Sequence, residues 1–248
     1  MITASVKIFD TPSDLAESMA SELKKIIDVV ILNKNKVSIA ISGGNTPMIL
    51  FQTLGNNYKH KIDWSRVSIF WVDERCVPPE SEESNFGMTH KFLLSVINIP
   101  EKNIHHIDGE NIPFKEAERY AGVLRNNLRL NNNLPQFDII LLGMGDDGHT
   151  ASIFPDQMYL LNSDNYCEVA MNPYTGQKRI TLTGKIINNA DRKYFIVTGM
   201  NKAKILKEIL DKDNDYLKYP ASHITEVEGP LKWYLDKDAA CLLSSDQK

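Results

Sequence analysis

The side chains in this sequence best suited to chemistry crowd into Leu142-Gly143-Met144-Gly145-Asp146-Asp147-Gly148-His149-Thr150. Asp147 and His149 flank a single glycine. A neutral imidazole is a competent general base near physiological pH. The carboxylate could orient the imidazole, polarise it or contact a substrate hydroxyl, and the sequence leaves these roles open. The plain alternative for His149 is a histidine hydrogen-bonded into structure. Gly143, Gly145 and Gly148 also match the spacing of a dinucleotide fingerprint, which has to open a full helix. Pro155 follows too soon for that, and the stretch lies mid-chain after a different glycine turn.

A second segment, Ser42-Gly43-Gly44-Asn45-Thr46-Pro47, falls between an expected strand and an expected helix. Glycines let the backbone approach an anion, and a helix start offers unpaired N–H groups at the positive end of its dipole. It is not a Walker A loop, because no Gly-Lys-Ser/Thr follows; its ordinary alternative is a plain turn. Cations stand near three further strand ends. Arg75, in Asp73-Glu74-Arg75, could grip a phosphate with two parallel hydrogen bonds, or pair with its acidic neighbours. Arg179 and Lys202 occupy comparable places, each read alone as a solvated charge. Other features carry less. His105-His106 has no partner at metal-ligand spacing, no GxSxG elbow exists, and Ser152 is merely close to His149 in sequence. Cys76, beside Arg75, is a weakly activated thiol at most.

The elements that must hold these groups alternate along the chain. Thr11-Pro12-Ser13-Asp14 reads as a capped helix start, running to about residue 32. Strands are expected at 37–41, 67–72, 138–142, 178–183, 194–198 and 233–235. Further helices are expected from Thr46, at 85–95, 113–130 and 201–210, and at 237–243 to close the chain. Residues 131–133 and 211–219 read as loops. Such alternation predicts an α/β fold, a mostly parallel Rossmann-like sheet covered by helices on both faces. The candidate residues then share the carboxyl edge, where open α/β sheets form their crevice. Residues 1–248 read as a single domain.

Composition narrows the classes. With 28 Lys+Arg against 32 Asp+Glu, the net charge of −4 argues against a non-specific nucleic-acid binder. Three widely spaced cysteines and no CxxC pair argue against a disulfide framework or a zinc knuckle. Residues 1–9 lack a signal-peptide pattern. The longest nearly apolar run, 26–32, is broken by Asp28 and too short to span a bilayer. The expected location is a reduced cytoplasm, away from membrane.

Six motifs occur in one order: Ser42 to Pro47, Val72-Asp-Glu-Arg75, Ser84-Asn85-Phe-Gly-Met88, Gly143 to Pro155, Arg179-Ile-Thr-Leu-Thr183 and Gly199-Met-Asn-Lys-Ala203. From about residue 37 to Leu235 the chain resembles the 6-phosphogluconolactonases of the pentose phosphate pathway. The resemblance implies hydrolysis of 6-phospho-D-glucono-1,5-lactone, with the phosphate on Ser42, Gly43, Gly44, Asn45 and Thr46 and on Arg75, Arg179 and Lys202. His149 is then the base and Asp147 its companion. No metal, nicotinamide or covalent intermediate is required. The related glucosamine-6-phosphate deaminases share the Asp-Gly-His core and carry a relay carboxylate shortly after the histidine. Here Thr150 to Pro155 contains no acid, which favours the hydrolase branch. Deaminase-type activity and a non-catalytic sugar-phosphate sensor are the alternatives.

Overall fold

The computed structural model describes residues 5–244. Residues 1–4, part of the stretch read for a targeting signal, lie outside them. Six strands come first: β1 (Ser5–Phe9), β2 (Val37–Ile41), β3 (Val67–Trp71), β4 (Asp73–Arg75), β5 (Ile104–His105) and β6 (Arg129–Asn131). Six follow: β7 (Leu134–Gln136), β8 (Ile139–Leu142), β9 (Cys167–Met171), β10 (Lys178–Leu182), β11 (Lys193–Val197) and β12 (Leu231–Asp236). The α-helices are α1 (Pro12–Lys34), α2 (Asn45–Thr53), α3 (Asn85–Thr89), α4 (Pro113–Asn127), α5 (Gly184–Asn188) and α6 (Ala203–Leu210).

Seven strands form a parallel sheet in the order β1-β12-β11-β8-β2-β3-β5. Successive side chains of a strand point to opposite faces. All four residues of β8 and all five of β11 are buried, so both faces of the sheet centre are covered. That explains why these strands read as continuous apolar runs rather than alternating ones. From β2 the chain winds outward through β3 to β5; from β8 it winds the other way, through β11 to β12. The switch point therefore lies between β2 and β8, and ligands of such sheets bind beyond the carboxyl ends there. A second sheet, antiparallel in the order β4-β10-β9, stands over this edge.

Helix α1 begins as its sequence dictates: the Thr11 hydroxyl accepts the Asp14 N–H at 3.1 Å and donates to the Asp14 carboxylate at 2.7 Å. Three expectations change. The helix expected over 113–130 stops at Asn127, and the chain turns into a β6–β7 hairpin. Asn132 and Asn133 make its two-residue turn with φ of 50° and 63°, the left-handed pair that asparagine tolerates. The closing segment 237–243 makes turns, not a helix: Asp236 caps it through the Ala239 amide, but after the Ala240 N–H reaches the Asp236 carbonyl the bonds shorten to i→i+3, Cys241 to Asp238 and Leu243 to Ala240. Strand 178–183 belongs to the small antiparallel sheet, and β1, β4, β5 and β9 join the strands expected.

Candidate active site

At the switch point the Ser42 hydroxyl donates to the Leu141 carbonyl at 3.0 Å, fastening the end of β2 to the end of β8. The chain then enters α2 through Gly44, whose φ of 105° suits glycine. Gly43 has a different reason: a Cβ there would stand 1.7 Å from Asn85 Oδ1. No side chain caps α2, so its first-turn amides, Asn45 and Thr46 among them, remain available to an anion. The Thr46 hydroxyl meets that of Thr198, just past β11, at 2.7 Å.

Beyond β8 the loop folds back on itself. The Gly145 N–H bonds the His149 carbonyl at 2.9 Å and the Gly148 N–H bonds the Gly145 carbonyl at 3.1 Å. His149 Nδ1 lies 2.6 Å from Asp147 Oδ1, which also accepts the His149 backbone N–H at 3.0 Å. With Nδ1 committed to the carboxylate, Nε2 is the ring nitrogen left for chemistry. The pair fits only because residue 145 is glycine: a Cβ there would stand 2.1 Å from His149 Nδ1. Phe154 packs against the imidazole, with ring centroids 4.6 Å apart. Burial would raise the Asp147 carboxyl, but the bonds from His149 and the Tyr174 phenol outweigh it and hold the pKa at about 2. Ala151, two residues on, is held at a φ of 50°, a costly conformation for a residue with a Cβ.

Each residue of Asp73-Glu74-Arg75 does something different. Asp73 accepts the Ser152 hydroxyl at 2.7 Å, so Ser152 is a buried tie rather than a nucleophile. Buried Glu74 accepts the amides of Arg75, Asn85 and Phe86 and the Ser84 hydroxyl, and so anchors the start of α3. Arg75 pairs with neither acid. Its Nη1 donates to the Glu83 carbonyl at 2.5 Å, and it stands directly across the β4–β10 pairing from Arg179. Both Nε atoms are buried without a hydrogen-bond partner, and neither arginine makes an ion pair among the described residues. Burial pushes the Arg179 pKa down, and Arg75 adds to this, while the negative charge of Asp73 opposes it. Like charges at directly opposed positions destabilise a sheet; an anion between them would reverse the sign.

Ser42, Gly43, Gly44, Asn45, Thr46, Arg75, His149, Arg179 and Lys202 all line one cleft of about 450 Å³. Asp147 does not line it. It stands behind His149, on a neighbouring cavity of about 380 Å³. Lys202 reaches the cleft paired with Asp146 and is no solvated charge. Cys76 is not activated: burial, aided by Glu74, pushes its thiol up to about 11. His105 and His106 stack on Phe70 and Phe86. Among the described residues no His, Cys, Asp or Glu cluster is placed to hold a metal ion, and no helix is long and apolar enough to cross a membrane.

Two features, one at the cleft wall and one on the neighbouring cavity, carry no functional reading in the sequence. Asn85 donates from Nδ2 to the Asp73 carbonyl at 2.9 Å, leaving Oδ1 buried and unpartnered at the cleft wall. The Tyr174 hydroxyl donates to Asp147 Oδ2 at 3.1 Å. Ser84-Asn85 was legible as a helix start, but nothing local marked Tyr174.

Fold and cleft together define a Rossmann-like α/β protein with a histidine–carboxylate pair facing an uncapped helix start and two unpaired arginines. The chain belongs to the glucosamine-6-phosphate isomerase/6-phosphogluconolactonase family, whose model matches residues 10–233. It is 44% identical over 212 residues to a 6-phosphogluconolactonase from Haemophilus influenzae, covering 84% of this chain and 88% of that one. A Treponema pallidum 6-phosphogluconolactonase is 41% identical over 194 residues, covering 78% and 80%. The solved structure of 6-phosphogluconolactonase from Trypanosoma brucei superimposes with a TM-score of 0.89 at 27% identity, covering 98% of this chain and all of that one.

Proposed function

We propose that this chain hydrolyses 6-phospho-D-glucono-1,5-lactone to 6-phospho-D-gluconate, the reaction named for its relatives in the pentose phosphate pathway. Residues 1–248 act as one sugar-phosphate domain in the cytoplasm, on a small phosphorylated lactone rather than on nucleic acid or membrane. The observation that carries this reading is the opposed pair Arg75 and Arg179, unpaired and sharing a cleft with His149.

The substrate phosphate sits on the backbone of Ser42, Gly43, Gly44 and Asn45, with Thr46 in the same turn, and takes the open amides of α2. Arg75 and Arg179 close on it, and Lys202 joins by exchanging Asp146 for the phosphate. Anchoring one end of the substrate removes orientational freedom at the other. The lactone carbonyl then lies near His149, whose Nε2 takes a proton from water as the water attacks the carbonyl carbon; the tetrahedral intermediate collapses by breaking the ring C1–O5 bond, and the same proton passes from Nε2 to the departing O5. Asp147 faces the back of the imidazole, not the cleft, which favours orienting and polarising His149 over contact with a substrate hydroxyl. A lactone is an activated ester, so positioning and one base suffice.

The test is an assay of the purified protein on 6-phosphogluconolactone, with spontaneous hydrolysis subtracted, beside ammonia release from glucosamine 6-phosphate. Lactone hydrolysis without ammonia is expected. Comparable ammonia release would move the chain to the deaminase branch, and binding without turnover would make it a sensor.

A further inference from the structure

Tyr174 is a large aromatic side chain that is 73% exposed, so burial does not account for its place. It stands at the tip of the β9–β10 hairpin, and that tip is rigidly built. The Asn172 side chain accepts the amides of Tyr174 and Thr175 at 2.9 and 3.2 Å. The Asn172 N–H bonds the Gln177 carbonyl at 2.9 Å, and the Gly176 N–H returns to the Asn172 carbonyl at 2.8 Å, with Gly176 at a φ of 72°. Where β9 enters the tip, the Gln157 amide grips Met171 twice, accepting its N–H at 3.0 Å and donating to its carbonyl at 2.7 Å. The phenol is thereby carried to Asp147, 27 residues away in sequence, and donates to Oδ2 at 3.1 Å while Oδ1 holds the imidazole.

We propose that Tyr174 is a positioning residue of the reaction: its hydroxyl fixes the rotation of the Asp147 carboxylate, and through it the aim of the His149 ring. The inference rests on the hydrolase reading of the same site. A carboxylate held at one oxygen can swing about its χ2 torsion, which is broad; held at both, it cannot. The negative charge of Asp147 raises the phenol's pKa, so Tyr174 remains a donor. Hairpin strand β10 also carries Arg179, so one rigid element reaches both the anion grip and the base.

The test removes the hydroxyl alone. Tyr174→Phe is expected to lower kcat about fivefold, the scale of one partly exposed hydrogen bond to a charged group, with KM changed less than twofold. In an Asp147→Asn background the same change is expected to have no effect, because the acceptor it serves has lost its charge. A Tyr174→Phe enzyme with wild-type kcat, or an equal loss in both backgrounds, would overturn the proposal. Proton NMR of the His149 Nδ1–H gives a readout independent of turnover. The resonance is expected to move in Tyr174→Phe, and an unmoved one would also overturn it. Absence of lactone hydrolysis by the wild-type protein would instead strike the hydrolase reading, leaving the contact to be judged by that resonance.

Discussion

Replacing Arg179 with methionine should make the protein more stable and nearly inactive. Arg179 is only 9% exposed, its Nε has no acceptor, and it faces Arg75 across the strand pair. An unsatisfied buried donor costs about 1–3 kcal/mol, and a directly opposed like charge adds about 0.2–1 kcal/mol. Against this, the guanidinium lies 5.5 Å from the Phe154 ring centre, a contact worth about 0.5–1 kcal/mol, and the charge of Asp73 attracts it by at least as much as Arg75 repels it. Methionine keeps most of the apolar packing and removes the rest, so the net gain is about 1 kcal/mol. For a chain of this length that raises Tm by about 2–4 °C. The same change removes charge-assisted bonds to the substrate phosphate, worth about 1.5–3 kcal/mol each, so kcat/KM on the phosphorylated lactone falls at least tenfold. Thermal unfolding with and without inorganic phosphate reads both halves. Phosphate should stabilise the wild type by about 2.7 kcal/mol at a hundred times its Kd, and should stabilise Arg179→Met far less. A variant that melts below the wild type, together with a wild type indifferent to phosphate, would refute the idea that the two arginines are held unpaired for an anion.

Arg75→Ala should weaken turnover of the phosphorylated lactone at least tenfold more than that of unphosphorylated gluconolactone, since the lost partner is the phosphate; equal losses on the two substrates would make Arg75 a structural tie to Glu83. Gly145→Ala should cut kcat by at least tenfold, because the new Cβ would stand 2.1 Å from His149 Nδ1 and the ring or loop must move; unchanged kinetics would show that the observed His149–Asp147 geometry is not needed. Lys193 is wholly buried, its Nζ donates to the Asn188 and Ala190 carbonyls, and it is pushed down by burial to about 8 from 10.5. Between about pH 8 and 10.5 the unfolded chain therefore binds the extra proton, so this residue makes stability rise with pH over that window. Urea midpoints across it should show a positive contribution that disappears in Lys193→Met.

The sheet was legible where apolar runs were long and turns were marked by glycine or proline. β2, β3, β8 and β11 came from burial on both faces, and the glycine turn and the Asp-Gly-His loop from local chemistry. What was not legible depends on chain segments meeting in space. The opposition of Arg75 and Arg179 is a register property of β4 and β10, which neither strand announces alone. Lys202 reads as free until Asp146 arrives beside it, and Tyr174 reads as a loop residue until the hairpin carries it to Asp147. β1 is a short edge strand with one partner and only weak burial, so its pattern gave little signal. The end of α4 was overrun because the Asn132-Asn133 hairpin turn outweighed helical continuation through Leu128, Arg129 and Leu130.

The most direct test of the central claim is the rate of 6-phosphogluconolactone hydrolysis by the wild type and by His149→Ala, measured together across pH with the spontaneous rate subtracted. Asp147 keeps its charge down to about pH 2, but burial pushes the Glu74 carboxyl up to about 7, so the comparison with His149→Ala is what assigns any acid limb of the wild type. The expected result is a fall of about a hundredfold or more in kcat for His149→Ala, with that acid limb gone and phosphate still stabilising the variant. Near-normal turnover by His149→Ala would contradict the assignment of the base.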